Sequence, residues 1–135
     1  MCGIAGIYSR GDIPVPPPRL LAMRDDQVHR GPDATGLHTG PHIGLAFNRP
    51  AIIDLSPAAN QPMDVDGGVA HIVFNGEIYN YRELRRELEE KGRRFRTQSD
   101  TEVILRGYVQ WGIDVVRSRM TCPSIPEYER CLPPA

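Results

Sequence analysis

A cysteine at position 2 is the residue of this sequence best suited to covalent chemistry. Its side chain is small, so removal of Met1 is chemically plausible and would leave Cys2 with a free α-amine. A thiol attacks as the thiolate, and an α-amine with an unperturbed pKa near ~8 can act as its intramolecular base. One residue would then supply both nucleophile and base. Alone, a second-position cysteine also reads as a small apolar residue. The other candidates carry similar double readings. Asn75-Gly76 as a dipeptide reads as a hairpin turn, Asp100 as a carboxylate favoured in the first turn of a helix, and Glu77 as an ordinary surface acid. His29, His38, His42 and His71 lack the i, i+4 pairing of metal ligands. Cys2, Cys122 and Cys131 form neither an even disulfide framework nor a paired zinc-ligand spacing, which points to a reducing compartment.

The elements that must position these residues read as follows. Cys2 to Tyr8 is short and apolar and reads as a buried strand that starts at the N-terminus. Pro14, Pro16, Pro17 and Pro18 enforce an extended connection, after which Leu20, Leu21, Met23 and Val28 suggest a short helix ending before His29-Arg30-Gly31-Pro32-Asp33. Thr35 to Thr39, Ile43 to Phe47 and Val69 to Phe74 read as strands, with the loop Pro57 to Pro62 between the last two, and all are expected to join the first strand in one antiparallel layer. Asn80 with Glu83 forms a helix-start signal, Leu84 and Leu88 share a face, and Gly92 fits the stop. Ser99 with Glu102 repeats the signal before Val103, Ile104, Tyr108 and Trp111, with Gly112 as the stop. From Arg117 onward prolines replace any apolar period, so 117–135 is expected to be an irregular tail.

Composition narrows the function classes. With 135 residues, 40% hydrophobic and 24% charged, the chain has room for one globular domain. A net charge of −1 makes no general case for nucleic acid, and Arg82, Arg85, Arg86, Arg93, Arg94 and Arg96 read as a solvated helix face. No apolar run is long enough for a membrane span and the N-terminus lacks the order of a secretory signal, so a cytoplasmic protein with no membrane partner is expected.

Five blocks then occur together. They are His29-Arg30-Gly31-Pro32-Asp33, Ile52-Ile53-Asp54-Leu55-Ser56, Gln61-Pro62-Met63, the run from Phe74-Asn75-Gly76-Glu77 through Ile78-Tyr79-Asn80-Tyr81-Arg82-Glu83-Leu84, and Ser99-Asp100-Thr101-Glu102. With the opening Met1-Cys2-Gly3-Ile4-Ala5-Gly6-Ile7 they resemble, in order and approximate spacing, the class II glutamine amidotransferases. Within that class they look like the N-terminal glutaminase domain of glutamine-hydrolysing asparagine synthetases. The resemblance covers 1–116, with 117–135 unrelated to it.

It implies an α+β fold of the N-terminal nucleophile hydrolase type, an αββα sandwich of which only the first part is expected here. It further implies that Cys2 is the nucleophile and that Asn75 and Gly76 form the oxyanion hole, where an Asn N–H and a backbone N–H at a small residue meet the developing charge. Arg49 matches the clamp on the glutamine carboxylate, for which a guanidinium fork is suited. Glu77 and Asp100 match groups near its ammonium, and Ile52 and Ile53 match the pocket wall. The implied activity is hydrolysis of glutamine to glutamate and ammonia, for ATP-dependent asparagine formation by a synthetase domain or subunit. ATP and Mg would belong only to that synthetase part, which is expected to be absent because no Ser-Gly-Gly-Leu-Asp-Ser type loop occurs. No metal or other cofactor is expected in this chain. Two other readings stand beside this one: an inactive truncated fragment, and a glutaminase subunit serving a different amidotransferase. One departure is Phe47-Asn48-Arg49-Pro50, where the family usually has His-Arg-Arg-Leu; Pro50 removes a backbone N–H and restricts Arg49.

Overall fold

The computed structural model describes residues 2–11, 13–50 and 55–121. Three strands, β1 (Gly3–Tyr8), β2 (Ala34–Thr39) and β3 (Ile43–Arg49), form an antiparallel sheet in the order β1-β3-β2. Helix α1 (Pro17–Asp25) starts with prolines in its first turn, where their missing N–H groups cost nothing. Side chains alternate across a strand, so the register Ala5↔Ala46 puts both residues on one face. That face is covered by α1 through a core of Ala5, Leu20 and Ala46, with Ile7 and Met23 packed against it. Val28 leaves this helix and begins the 3-10 turn Val28–Arg30.

The second half is a hairpin of β4 (Met63–Val65) and β5 (Ala70–Ile72), followed by α2 (Tyr81–Glu90) and α3 (Asp100–Trp111). The expected single layer is thereby corrected. The segment Val69 to Phe74 contributes only β5, and it pairs with β4, a three-residue strand too short to show a period, and not with β1, β2 or β3. Alternation sends Met63, Val65 and Ile72 toward α3, where they pack with Leu105. Asp64 and His71 are cross-strand partners on the opposite side, and the His71 ring stacks on His38 of β2 with centroids 3.7 Å apart. The layers therefore run α1, three-stranded sheet, hairpin, α3.

A second core of Ile78, Leu84, Leu88, Val103 and Ile104 joins α2 to α3. Fully burying side chains such as Leu88 and Val103 contributes about 1.5–3 kcal/mol each. The stops fall where expected: Gly92 has φ +81° and closes α2 with Arg93 N–H to Leu88 O and Gly92 N–H to Glu89 O, while Gly112 has φ +63° after α3. The starts differ from the capping-box expectation. Asn80 makes no cap; its side chain instead donates to Arg119 O (2.7 Å) and accepts from Thr121 N (2.9 Å). Ser99 does cap α3 through Thr101 N–H, but Glu102 reaches past Ser99 to accept from Arg96 N, Thr97 N and Thr97 Oγ1.

Residues 117–121, expected to open an irregular tail, instead include part of a wide turn, Val115–Arg119, closed by Met120 N–H to Val115 O. Arg119 lies 4.2 Å from the Trp111 ring and pairs with Glu87 at 2.9 Å. The rest of the expected tail, with Cys122 and Cys131, lies outside the described residues. The arginine cluster is also less uniform than a solvated face: Arg85 donates to Thr97 O and lies over Phe95, and Arg93 donates to Gln110.

Candidate active site

Cys2 precedes β1 and is partly buried. Its backbone nitrogen donates to Asn75 Oδ1 at 3.0 Å, across 73 positions of sequence. Asn75 and Gly76 sit in the loop between β5 and α2, so the hairpin-turn reading of this dipeptide does not hold: the chain passes from a strand to a helix. A Cβ on Gly76 would come within 2.7 Å of the Phe74 ring, so any larger residue at this corner would have to displace that ring. Burial pushes the Cys2 thiol above its ordinary range. The positive amino terminus, a hydrogen bond to its own backbone, and the guanidiniums of Arg49 and Arg30 act in the opposite direction.

Arg49 ends β3 in register with Ala34, so the strand runs to its last residue before Pro50. Alternation separates the residues of the divergent segment. Asn48 turns to α1 and donates to Arg24 O at 2.6 Å, whereas Arg49 turns to the other face, where it donates to Asn60 Oδ1 (2.8 Å) and Ser56 O (3.3 Å). Arg49 is 8% exposed and Asp100 is 6% exposed. Asp100 opens α3, but it is no simple solvent-facing first-turn carboxylate. It accepts from Ile78 N at 3.2 Å. Burial raises its pKa above the ordinary carboxylate range, hydrogen bonds from Ile78 and Thr101 oppose that, and the nearby Glu77 charge adds to it. Glu77 itself is exposed. Ile52 and Ile53 lie outside the described residues.

The structure thus brings Cys2 to Asn75 and within electrostatic range of Arg49, and Glu77 within range of Asp100. Three contributors carried no assignment from sequence. Arg30 lies close enough to Cys2 to lower its pKa, Asn60 holds the Arg49 guanidinium, and Gln61 joins Phe74 to Thr101. Gln61 was visible only as part of the Gln61-Pro62-Met63 block; its partners are 13 and 40 residues away. A partly shielded thiol within electrostatic range of two guanidiniums, with the Asn75 amide nearby, is an arrangement suited to nucleophilic attack on a neutral carbonyl. His29 lies in the 3-10 turn. Among the described residues no group of three or more His, Cys, Asp or Glu is placed to hold a metal, and no helix is long and apolar enough to cross a membrane.

Residues 1–121 match the family described as glutamine amidotransferase domain. The chain is 42% identical over 111 residues to glutamine-hydrolysing asparagine synthetase 1 of Bacillus subtilis strain 168, covering 80% of this chain and 17% of that protein. It is 40% identical over 118 residues to asparagine synthetase 1 of Arabidopsis thaliana, covering 86% and 20%. Against amidase chry2 of Gibberella zeae it is 35% identical over 128 residues, covering 86% and 19%. The chain spans about a fifth of the length of these curated relatives.

Proposed function

The chain belongs to the glutamine amidotransferase domain family, and from that premise we propose that it is the glutaminase part of an asparagine synthetase of the glutamine-hydrolysing type. The observation that carries this reading is the 3.0 Å bond from the Cys2 nitrogen to Asn75 Oδ1. Once Met1 is removed, that nitrogen is the α-amine that takes the thiol proton. The thiolate adds to the glutamine δ-carbonyl and the oxyanion is met by Asn75 Nδ2 and the Gly76 N–H, since Oδ1 already faces Cys2. The proton passes to the leaving nitrogen, ammonia departs, and water hydrolyses the glutamyl thioester to glutamate.

Arg49 receives the substrate carboxylate, Glu77 and Asp100 receive its ammonium, and Ile52 and Ile53 form the wall. The ammonia serves a synthetase domain or subunit outside these 135 residues, where ATP and Mg do their work. The layer order of helix, sheet, hairpin and helix supports the first part of an αββα sandwich of the N-terminal nucleophile hydrolase type. Tyr8, Ile43 and Ile4 are 70%, 42% and 38% exposed on the sheet face away from α1, on the part that the hairpin leaves open and further strands of such a sandwich would cover.

The test is intact-protein mass after incubation with a glutamine-mimicking diazoketone. A single adduct on Met1-processed chain, absent from Cys2→Ala, supports a working nucleophile and pocket. Unmodified protein with Met1 retained would leave the inactive-fragment reading in its place.

A further inference from the structure

We propose that Gln61 is a positioning residue, whose side-chain amide holds the Asn75-Gly76 corner against the start of α3. The proposal rests on the glutaminase reading and deepens it. Gln61 is 7% exposed. Phe74 N–H donates to its Oε1 at 2.6 Å, while its Nε2 donates to Phe74 O and to Thr101 Oγ1, each at 3.2 Å. Phe74 immediately precedes Asn75, and Thr101 immediately follows Asp100. One side chain therefore ties the corner proposed to meet the oxyanion to the helix turn proposed to meet the ammonium.

The register explains why a side chain does this. The β4–β5 ladder pairs Met63 with Ile72, and carrying it two residues further would set Gln61 opposite Phe74. Backbone pairing has ended there, and the Gln61 amide supplies the acceptor and donor that a strand would have offered to Phe74. Its own backbone packs closely against β2 on the other side, where a Cβ on Gly36 would land on the Gln61 carbonyl. Its neighbour Asn60 holds Arg49. A side chain fixed at its base and bonded at both polar atoms suits accurate placement, and misplacement by about 1 Å can cost a hundredfold in rate.

Only an amide of this length offers both donor and acceptor; leucine offers neither, and a glutamate offers both only when protonated. The experiment follows Cys2 capture in the full chain by the diazoketone over a range of concentrations, separating the maximal rate from the half-saturating concentration, beside alkylation by iodoacetamide. Gln61→Leu is expected to lower the maximal capture rate by about tenfold or more, with half-saturation within about threefold and iodoacetamide alkylation within about twofold of wild type. Gln61→Glu is expected to be slow at neutral pH and to regain rate relative to wild type as the pH falls. This second variant decides the matter if the leucine variant does not fold. Unchanged capture, or capture and alkylation falling by the same factor, would overturn the proposal. If the wild-type chain gives no adduct, the glutaminase reading fails by itself. The positioning role is then read from deuterium uptake over residues 74–77, faster in Gln61→Leu if Gln61 holds the corner and equal to wild type if it does not.

Discussion

The Cys2 nitrogen and the Asn75 side-chain oxygen lie 3.0 Å apart, joining the start of the first strand to the corner that follows the last. The atom bonded is a peptide nitrogen while Met1 remains and a terminal amine once it is gone. On the proposed glutaminase reading Asn75 Oδ1 accepts from that nitrogen and Asn75 Nδ2 donates to the substrate oxygen.

Asn75→Ala removes both functions. Glutamate release from glutamine is expected to fall by about 10²- to 10³-fold in kcat, the range for losing one oxyanion donor. Iodoacetamide alkylation of Cys2 should persist. Loss of glutamate release with alkylation faster than wild type would instead indicate unfolding, since burial holds back the wild-type thiolate.

The Cys2 thiol sits above the ordinary range because burial disfavours the thiolate, with Arg49 and Arg30 pulling it down. Its iodoacetamide rate should rise with pH and inflect above that of a free cysteine. Arg30→Gln should move the inflection further up, and a downward movement would contradict the electrostatic role given to that guanidinium.

Burial raises the Asp100 pKa in the folded state, so its contribution to stability is full below the unfolded value and is lost as pH rises through the folded one. Asp100→Asn, still accepting from Ile78 N–H, should therefore melt higher than wild type at neutral pH and lose that advantage in acid. The same variant should raise the glutamine KM by about tenfold or more, the scale of one charge-assisted hydrogen bond.

Glu102 is 1% exposed and accepts from Arg96 N, Thr97 N and Thr97 Oγ1. Glu102→Gln would point an amide group at buried donors and should cost about 2–3 kcal/mol in a urea melt. Thr101→Ala, beside it, is a useful contrast, since it disturbs the Gln61 contact and leaves the Glu102 acceptors in place.

His38 titrates below the ordinary imidazole range, first through burial and then through the stacked His71, with Asp64 acting in the opposite sense. A histidine depressed in the folded state contributes stability that is present above its unfolded pKa and lost as pH falls. The melting temperature should decline as pH drops below about 6.5, and His38→Gln should flatten that slope. An unchanged slope would place the acid sensitivity elsewhere.

Local signals carried much of the fold. The first strand, the helix after the prolines, the β2 and β3 strands, and the two helices with their glycine stops were all legible, because each depends on neighbours within a few residues. Failures came where a side chain chose a partner other than the one its cap position offers. Asn80 and Glu102 stand at cap positions, yet Asn80 bonds Arg119 and Thr121 while Glu102 bonds Arg96 and Thr97. Strand β4 escaped notice because three residues hold no measurable alternation, and its pairing with β5 removed β5 from the expected layer.

The site divides in the same way. Sequence alone determined which residue types are present and in what order: a cysteine behind the initiator methionine, Arg49, the Asn75-Gly76 pair and Asp100 at a helix start, in blocks matching one family. Tertiary structure alone decided that Cys2 meets Asn75, that Asn48 finds Arg24 O while Arg49 finds Asn60, that Asp100 is buried against Ile78, and that Gln61 joins Phe74 to Thr101. These are contacts between residues up to 73 positions apart, set by register and layer packing, and no local preference encodes them.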